Sequence, residues 1–157
     1  MQNDQLKWCS EIKDGLKLTD PNERISLSYM NEAKTSLERA QKNFNDGDLL
    51  WTTVVIYYAE YYALYSFLQR IGIKCENHFC SILMAEVLLG KDKIATINEH
   101  KEKRIDAQYY IKFGKDKEVE KMLNEAKLFI SSFDEIVSGL SEKDIGDYRT
   151  IFEGINP

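Results

Sequence analysis

Proline is almost absent: Pro21 and Pro157 are the only two, so nothing in the covalent chemistry of the chain breaks a helix between positions 22 and 156. Glycine is sparse at eight residues. Six of them, Gly15, Gly47, Gly72, Gly90, Gly114 and Gly139, separate apolar runs of helical period, the place for residues just past helix ends. Cysteine is limited to Cys9, Cys75 and Cys80. That odd number, with no basic and apolar leader at the N-terminus, argues against a secreted disulfide scaffold and predicts a cytoplasmic protein with free thiols. Histidine is scarcer still, with only His78 and His100. Neither a Gly-rich phosphate loop nor a His-Glu-x-x-His metal helix occurs. Alternating strand patterns, fixed-period repeats and low-complexity tracts are missing as well.

What is present describes one globular domain. A chain of 157 residues with 43% hydrophobic content can bury a single core and is too short for two full ones. Its 21 basic and 26 acidic residues leave a net charge of -5, which fits neither disorder nor a general DNA-coating protein. The run Leu49 to Leu68 has a single formal charge, Glu60, and is long enough to span a bilayer. Five tyrosines, two threonines, a serine and that central carboxylate would each need a polar partner in lipid, so the run reads as a bundle helix and no membrane association is expected.

The capping signals divide the chain into helices. A short first helix uses Leu6, Cys9, Ile12 and Leu16. Asp20-Pro21-Asn22-Glu23 predicts a second, with Asp20 as its cap and Pro21 at its first position. It carries Met30, Ala33, Leu37, Ala40 and Phe44 on one stripe until Gly47. Asp48 caps a third helix to Ile71, apolar or aromatic nearly all round and hence central. Asn77 caps a fourth that ends at Gly90. Thr96-Ile97-Asn98-Glu99 has capping-box spacing and predicts the start of a charge-rich fifth, reaching Ile111 and closed by Gly114. Asp116 begins the sixth, and Ser141 with Asp144 announces a last short one. The expected fold is all-α, an antiparallel up-and-down four-helix bundle with additional shorter helices. Its expected parts are an N-terminal extension over 1–18, the bundle over 19–140, and a short helix and tail over 141–157.

Candidate chemistry concentrates in the fifth helix. From Lys91 to Lys117 eight basic residues face five acidic ones, so this stretch is positive within an acidic chain. His100 and Arg104, four apart, share a helix face. A guanidinium there can hold a phosphate bidentately; alternatively it pairs with a bundle carboxylate such as Glu60 or covers apolar surface with its stem. Lys101, Lys103 and Lys112 add neighbouring charge. Tyr58, Tyr61 or Tyr62, and Tyr65 form a ladder along the third helix, read as core-edge packing or as rings on which a base can stack. Cys75, His78 and Cys80 are zinc-type ligands in close sequence, but a fourth is lacking and two of them diverge on a helix. No metal and no cofactor are expected.

The ordered pieces Tyr57-Tyr58-Ala59-Glu60-Tyr61-Tyr62-Ala63-Leu64, Gly72-Ile73, His78, Arg104-Ile105-Asp106-Ala107-Gln108-Tyr109 and Ala126 to Ile130 together resemble the HEPN domain family over about residues 24–137. The resemblance implies an antiparallel helical bundle concerned with RNA or nucleotides. Many such proteins are metal-independent endoribonucleases of toxin-antitoxin and defence systems, usually homodimers and often working beside a small nucleotidyltransferase. Active members share an arginine followed four to six residues later by histidine. Arg104 matches the arginine, but Tyr109 and Tyr110 stand where the histidine is expected. With a reference pKa of about 10, tyrosine is a poor base at neutral pH.

The resulting expectation is a cytoplasmic homodimer binding a nucleotide or single-stranded RNA phosphate through Arg104, with Lys101, Lys103, Lys112, Tyr58 and Tyr109 around it and without efficient catalysis. No residue is assigned as catalytic. An endoribonuclease using His100 or His78, and an interaction module for a small nucleotidyltransferase, are the alternatives.

Overall fold

The computed structural model describes residues 1–155; Asn156 and Pro157, the end of the expected tail, lie outside them. In chain order the elements are α1 (Gln2–Glu11), β1 (Lys17–Leu18), α2 (Glu23–Asn45), α3 (Leu49–Ile71), β2 (Ile73–Lys74), α4 (His78–Leu89), α5 (Lys91–Tyr110), α6 (Asp116–Ser138) and α7 (Glu142–Ile155). The fold is the expected all-α bundle. Helix α3 is central, packing on α2, α5 and α6 and touching α4 and α7. Its Ile56, Tyr57, Leu64, Phe67, Leu68 and Ile71 are among the largest fully buried side chains. The close α2–α3 seam is fastened by two serines: Ser26 Oγ donates to the Ser66 carbonyl at 2.8 Å and Ser66 Oγ to the Ser26 carbonyl at 2.8 Å. No helix among the described residues is long and apolar enough to cross a membrane.

Several caps follow the sequence. Asp48 accepts from the Trp51 amide at 3.1 Å and Asn77 from the Cys80 amide at 3.0 Å. Ser141 and Asp144 form a reciprocal pair at 3.0 and 3.1 Å. Other boundaries differ from expectation, each for a local reason. The first helix stops at Glu11, so Ile12 and Leu16 fall outside it; the Leu16 amide instead folds back on the Cys9 carbonyl at 2.8 Å. Asn22, not Asp20, caps α2, accepting from the Ile25 amide at 2.9 Å while its own amide reaches the Gln69 carbonyl. Pro21 therefore precedes the helix. Thr96 lies inside α5, because Gly90, at φ +95°, turns the chain by itself and Lys91 resumes the helix at once. Helix α5 ends before Gly114: Ile111 takes the left-handed conformation at φ 54°, and the Lys112 amide returns to the Asp106 carbonyl at 3.0 Å.

Two features lie outside the helical pattern. The pair β1 and β2 is antiparallel, with Lys17 opposite Lys74 and Leu18 opposite Ile73; at two residues each, they are too short to show as alternation. Arg149 of α7 secures this corner, its Nη1 donating to the carbonyls of Thr19 at 2.7 Å and Ile71 at 2.9 Å. Gly72 is required here, since its φ is +80° and a Cβ would strike the Thr19 carbonyl and the Arg149 side chain. The second feature corrects the reading of free thiols. Cys9 and Cys80 form a disulfide joining α1 to α4, while Cys75 remains free and buried. An odd count leaves one cysteine over, and does not prevent the other two from pairing.

Candidate functional site

Helices α3, α4 and α5 bring seven polar or aromatic side chains together at one edge of the bundle. Tyr57 and Tyr61, one turn apart on α3, face the first residue of α4. The Tyr57 hydroxyl lies 3.0 Å from His78 Nδ1, and the His78 ring stacks on Tyr61 with centroids 3.7 Å apart and planes 11° from parallel. From α5, the Arg104 guanidinium carbon sits 4.6 Å from the Tyr57 ring centroid and 5.6 Å from that of Tyr58. Lys101, one turn earlier, holds its ammonium 5.5 Å from the Phe79 centroid.

The electrostatics of this group are one-sided. Arg104 is only 9% exposed. Its Nη1 donates to Gln108 Oε1 at 3.2 Å, and its Nε has no hydrogen-bond partner. Among the described residues it forms no ion pair. A guanidinium over an aromatic face gains some energy from the ring quadrupole, but a buried charge ordinarily needs a counter-charge as well. Burial, then the charges of Arg104 and Lys101, hold His78 below its ordinary pKa, so its half-buried ring is neutral near pH 7. Burial raises the Tyr57 hydroxyl to about 12, with Arg104 opposing, so it stays a neutral phenol. Lys101 is lowered by burial and by Arg104.

The sequence-derived candidates thus separate into four places. Arg104, Lys101, Tyr58 and His78 meet in this group. Lys103 and Lys112 line a different cleft of about 130 Å³ with Phe113, where Lys103 is 3.0 Å from Glu118. Tyr109 projects at the end of α5, 65% exposed. His100 is in the core, fully buried, with Nδ1 2.9 Å from Glu60 Oε2. Glu60 is therefore taken by His100 and is not the partner of Arg104, as one alternative had it. Burial lifts the Glu60 carboxyl against the opposing effect of His100. Burial alone would lower His100, but its hydrogen bond to Glu60 and the surrounding carboxylates leave it raised. The other ring nitrogen of His100, Nε2, is buried without a hydrogen-bond partner, 3.8 Å from Glu125 Oε1.

Tyr57 and Phe79 are members of the group that sequence reasoning did not single out. The signal for Tyr57 was its four-residue spacing from Tyr61, which puts both on the side of α3 that meets α4. Phe79 was indistinguishable in sequence from the apolar residues that follow it.

Fold and site together define a helical-bundle protein with an aromatic-walled basic site at the junction of three helices. Residues 27–136 match the model of the HEPN domain, and the chain belongs to the HEPN family. HEPN domains are associated with nucleotide- and RNA-related functions. Comparison with curated proteins gives no match.

Proposed function

We propose that this protein binds the phosphate group of a nucleotide or of single-stranded RNA at Arg104, with Lys101 and His78 beside it and Tyr57 and Tyr58 as aromatic walls. The observation that carries this reading is the buried guanidinium without a counter-charge. A phosphate would supply the missing negative charge through charge-assisted, fork-shaped hydrogen bonds. Short single-stranded RNA, followed by fluorescence anisotropy, should bind with an affinity that falls as salt rises. Arg104→Ala should weaken it by about 1.5–3 kcal/mol. Unchanged binding in that variant would refute the assignment.

One observation favours a second reading, a metal-independent endoribonuclease. His78 is neutral and close to Arg104, so a histidine from α4 stands near the arginine although the sequence motif lacks one. In this reading His78 removes the proton of a ribose 2′-hydroxyl as its oxygen attacks phosphorus. The 5′-oxygen leaves, taking a proton from water, and Arg104 stabilises the charge on the phosphoryl oxygens. Cleavage in the presence of a metal chelator, lost in His78→Asn, would establish it. Intact RNA after prolonged incubation returns the protein to binding alone.

The wider setting is proposed on family grounds: action in the cytoplasm, in a toxin-antitoxin or defence context, as a homodimer, and beside a small nucleotidyltransferase. The exposed apolar residues Tyr109, Tyr110, Ile111 and Phe113 at the end of α5 support association. Sedimentation that finds only the 18.3 kDa species at micromolar concentration would count against a homodimer.

A further inference from the structure

A groove of about 360 Å³ runs between α1, α4 and α5, and it begins where the phosphate site ends. Lys101 lines it and reaches over the Phe79 ring; three residues on, Arg104 lies on the same side of α5. Phe79 also lines it and directly follows His78. Ile82 and Leu83 give it an apolar floor, and Gln5 and Asn98 place amides at its walls. The volume is that of a small-molecule site. The Phe79 ring is 39% exposed and is braced edge-on by Trp8, 6.4 Å away. Its remaining surface offers a π-face to a planar group.

Glu86 is the one carboxylate among the groove's lining residues, which also include the ammoniums of Lys91 and Lys101. Its half-buried carboxylate makes neither an ion pair nor a side-chain hydrogen bond among the described residues. It would repel a phosphate and accept N–H donors, as acidic side chains accept from the exocyclic amine of cytosine. An aromatic platform, amides and an acceptor-only carboxylate next to a cationic site match a nucleotide laid base-inward. The wall supplied by α1 lies outside the matched residues 27–136 and is held in place through Cys9–Cys80.

We infer that this groove is a nucleobase subsite, accepting the base of the nucleotide whose phosphate lies at Arg104 and preferring bases with an exocyclic amine over uracil. The inference rests on the phosphate reading given above. Adenine, cytosine and guanine present amino donors to Glu86, whereas uracil flanks its single N–H with carbonyl oxygens that the carboxylate disfavours.

Calorimetric titration of the full chain with ribose 5-phosphate, AMP, CMP and UMP tests both layers. AMP and CMP should bind about tenfold tighter than UMP, and Phe79→Ala should bring every nucleotide down to the affinity of ribose 5-phosphate. Glu86→Gln should abolish the preference for amine-bearing bases, each affinity being taken relative to that of ribose 5-phosphate for the same variant. Equal affinities for AMP, CMP and UMP together with equal affinities for oligo(C) and oligo(U), with ribose 5-phosphate binding still lost in Arg104→Ala, would overturn the subsite and keep the phosphate reading. Base discrimination that survives Glu86→Gln and Phe79→Ala also overturns the subsite. Ribose 5-phosphate binding indifferent to Arg104→Ala would overturn the phosphate reading instead. Short oligo(C) and oligo(U) RNA, titrated in parallel, separate the sources: discrimination among oligomers alone indicates RNA, and discrimination among mononucleotides indicates a free nucleotide.

Discussion

The guanidinium of Arg104 rests over the ring of Tyr57, 4.6 Å from its centroid, and that same tyrosine turns its hydroxyl to His78 at 3.0 Å. A single neutral side chain thus positions a fixed cation and a titratable base on adjacent helices. Arg104 is held by ring contact and one amide oxygen, and its buried Nε has no hydrogen-bond partner.

Such a charge favours binding and disfavours folding. Arg104→Met keeps an unbranched apolar stem over Tyr57 and removes the buried cation, so thermal stability should hold or rise. RNA binding should fall by about 1.5–3 kcal/mol in the same protein. A melting temperature several degrees below the parent would show that the guanidinium serves the fold.

Anion binding should strengthen as pH falls through the region below the ordinary histidine value of 6.5. Without ligand, burial and two neighbouring cations disfavour protonated His78; a bound phosphate reverses that balance, so proton uptake and binding are linked. Folding carries the opposite sign. His78 has a lowered pKa in the folded protein, so between that value and 6.5 the unfolded chain holds more protons and stability grows as pH rises. Anisotropy titrations across this range should flatten in His78→Asn; an unchanged slope would remove His78 from the site.

Ile111 is a β-branched residue at φ 54°, and it is 68% exposed. Left-handed backbone costs roughly 1–2 kcal/mol for a residue with a Cβ, and little apolar burial is forfeited at this position. Ile111→Gly should therefore stabilise the protein by about 0.5–1 kcal/mol in denaturant unfolding, after the added freedom of glycine in the unfolded chain. A loss would indicate that the isoleucine side chain carries a contact in solution.

Cys9–Cys80 closes a loop across a sequence separation of 71, so its removal should cost about 2–4 kcal/mol by loop-closure entropy. Cys9→Ser and chemical reduction should lower the unfolding midpoint alike. Unfolding insensitive to reductant would mean that the two sulfurs are not joined in the purified protein.

The bundle was legible because its determinants are local. Asp48, Asn77 and the Ser141–Asp144 pair lie next to the helices they start, and the charge-poor stretch around Glu60 marks the helix on which α2, α5 and α6 pack. Boundaries went astray for two reasons: Asn22 replaces Asp20 once its amide meets Gln69, a tertiary bond, and Ile111 ends α5 by taking the left-handed conformation without being a glycine. The site was half legible. Arg104, Lys101, Tyr58 and His78 were identifiable by residue type, but their meeting depends on how α4 packs against α3. Lys103 and Lys112, close to Arg104 in sequence, turn to another side. His100 was drawn into the core by Glu60, forty residues away, a pairing that no spacing rule contains.

The Arg149 contact with the Thr19 carbonyl, 130 positions apart in sequence, bears on the order of assembly. The α2–α3 seam joins helices that follow one another in the chain, whereas this guanidinium joins segments near opposite ends, and contacts of such separation carry the heaviest closure entropy before they reward it. The corner at Thr19 and Gly72 is therefore expected to form after the rate-limiting barrier. Arg149→Ala should accelerate unfolding and leave refolding nearly unchanged in stopped-flow measurements. A slowed refolding limb would instead place the meeting of the two ends within the folding nucleus.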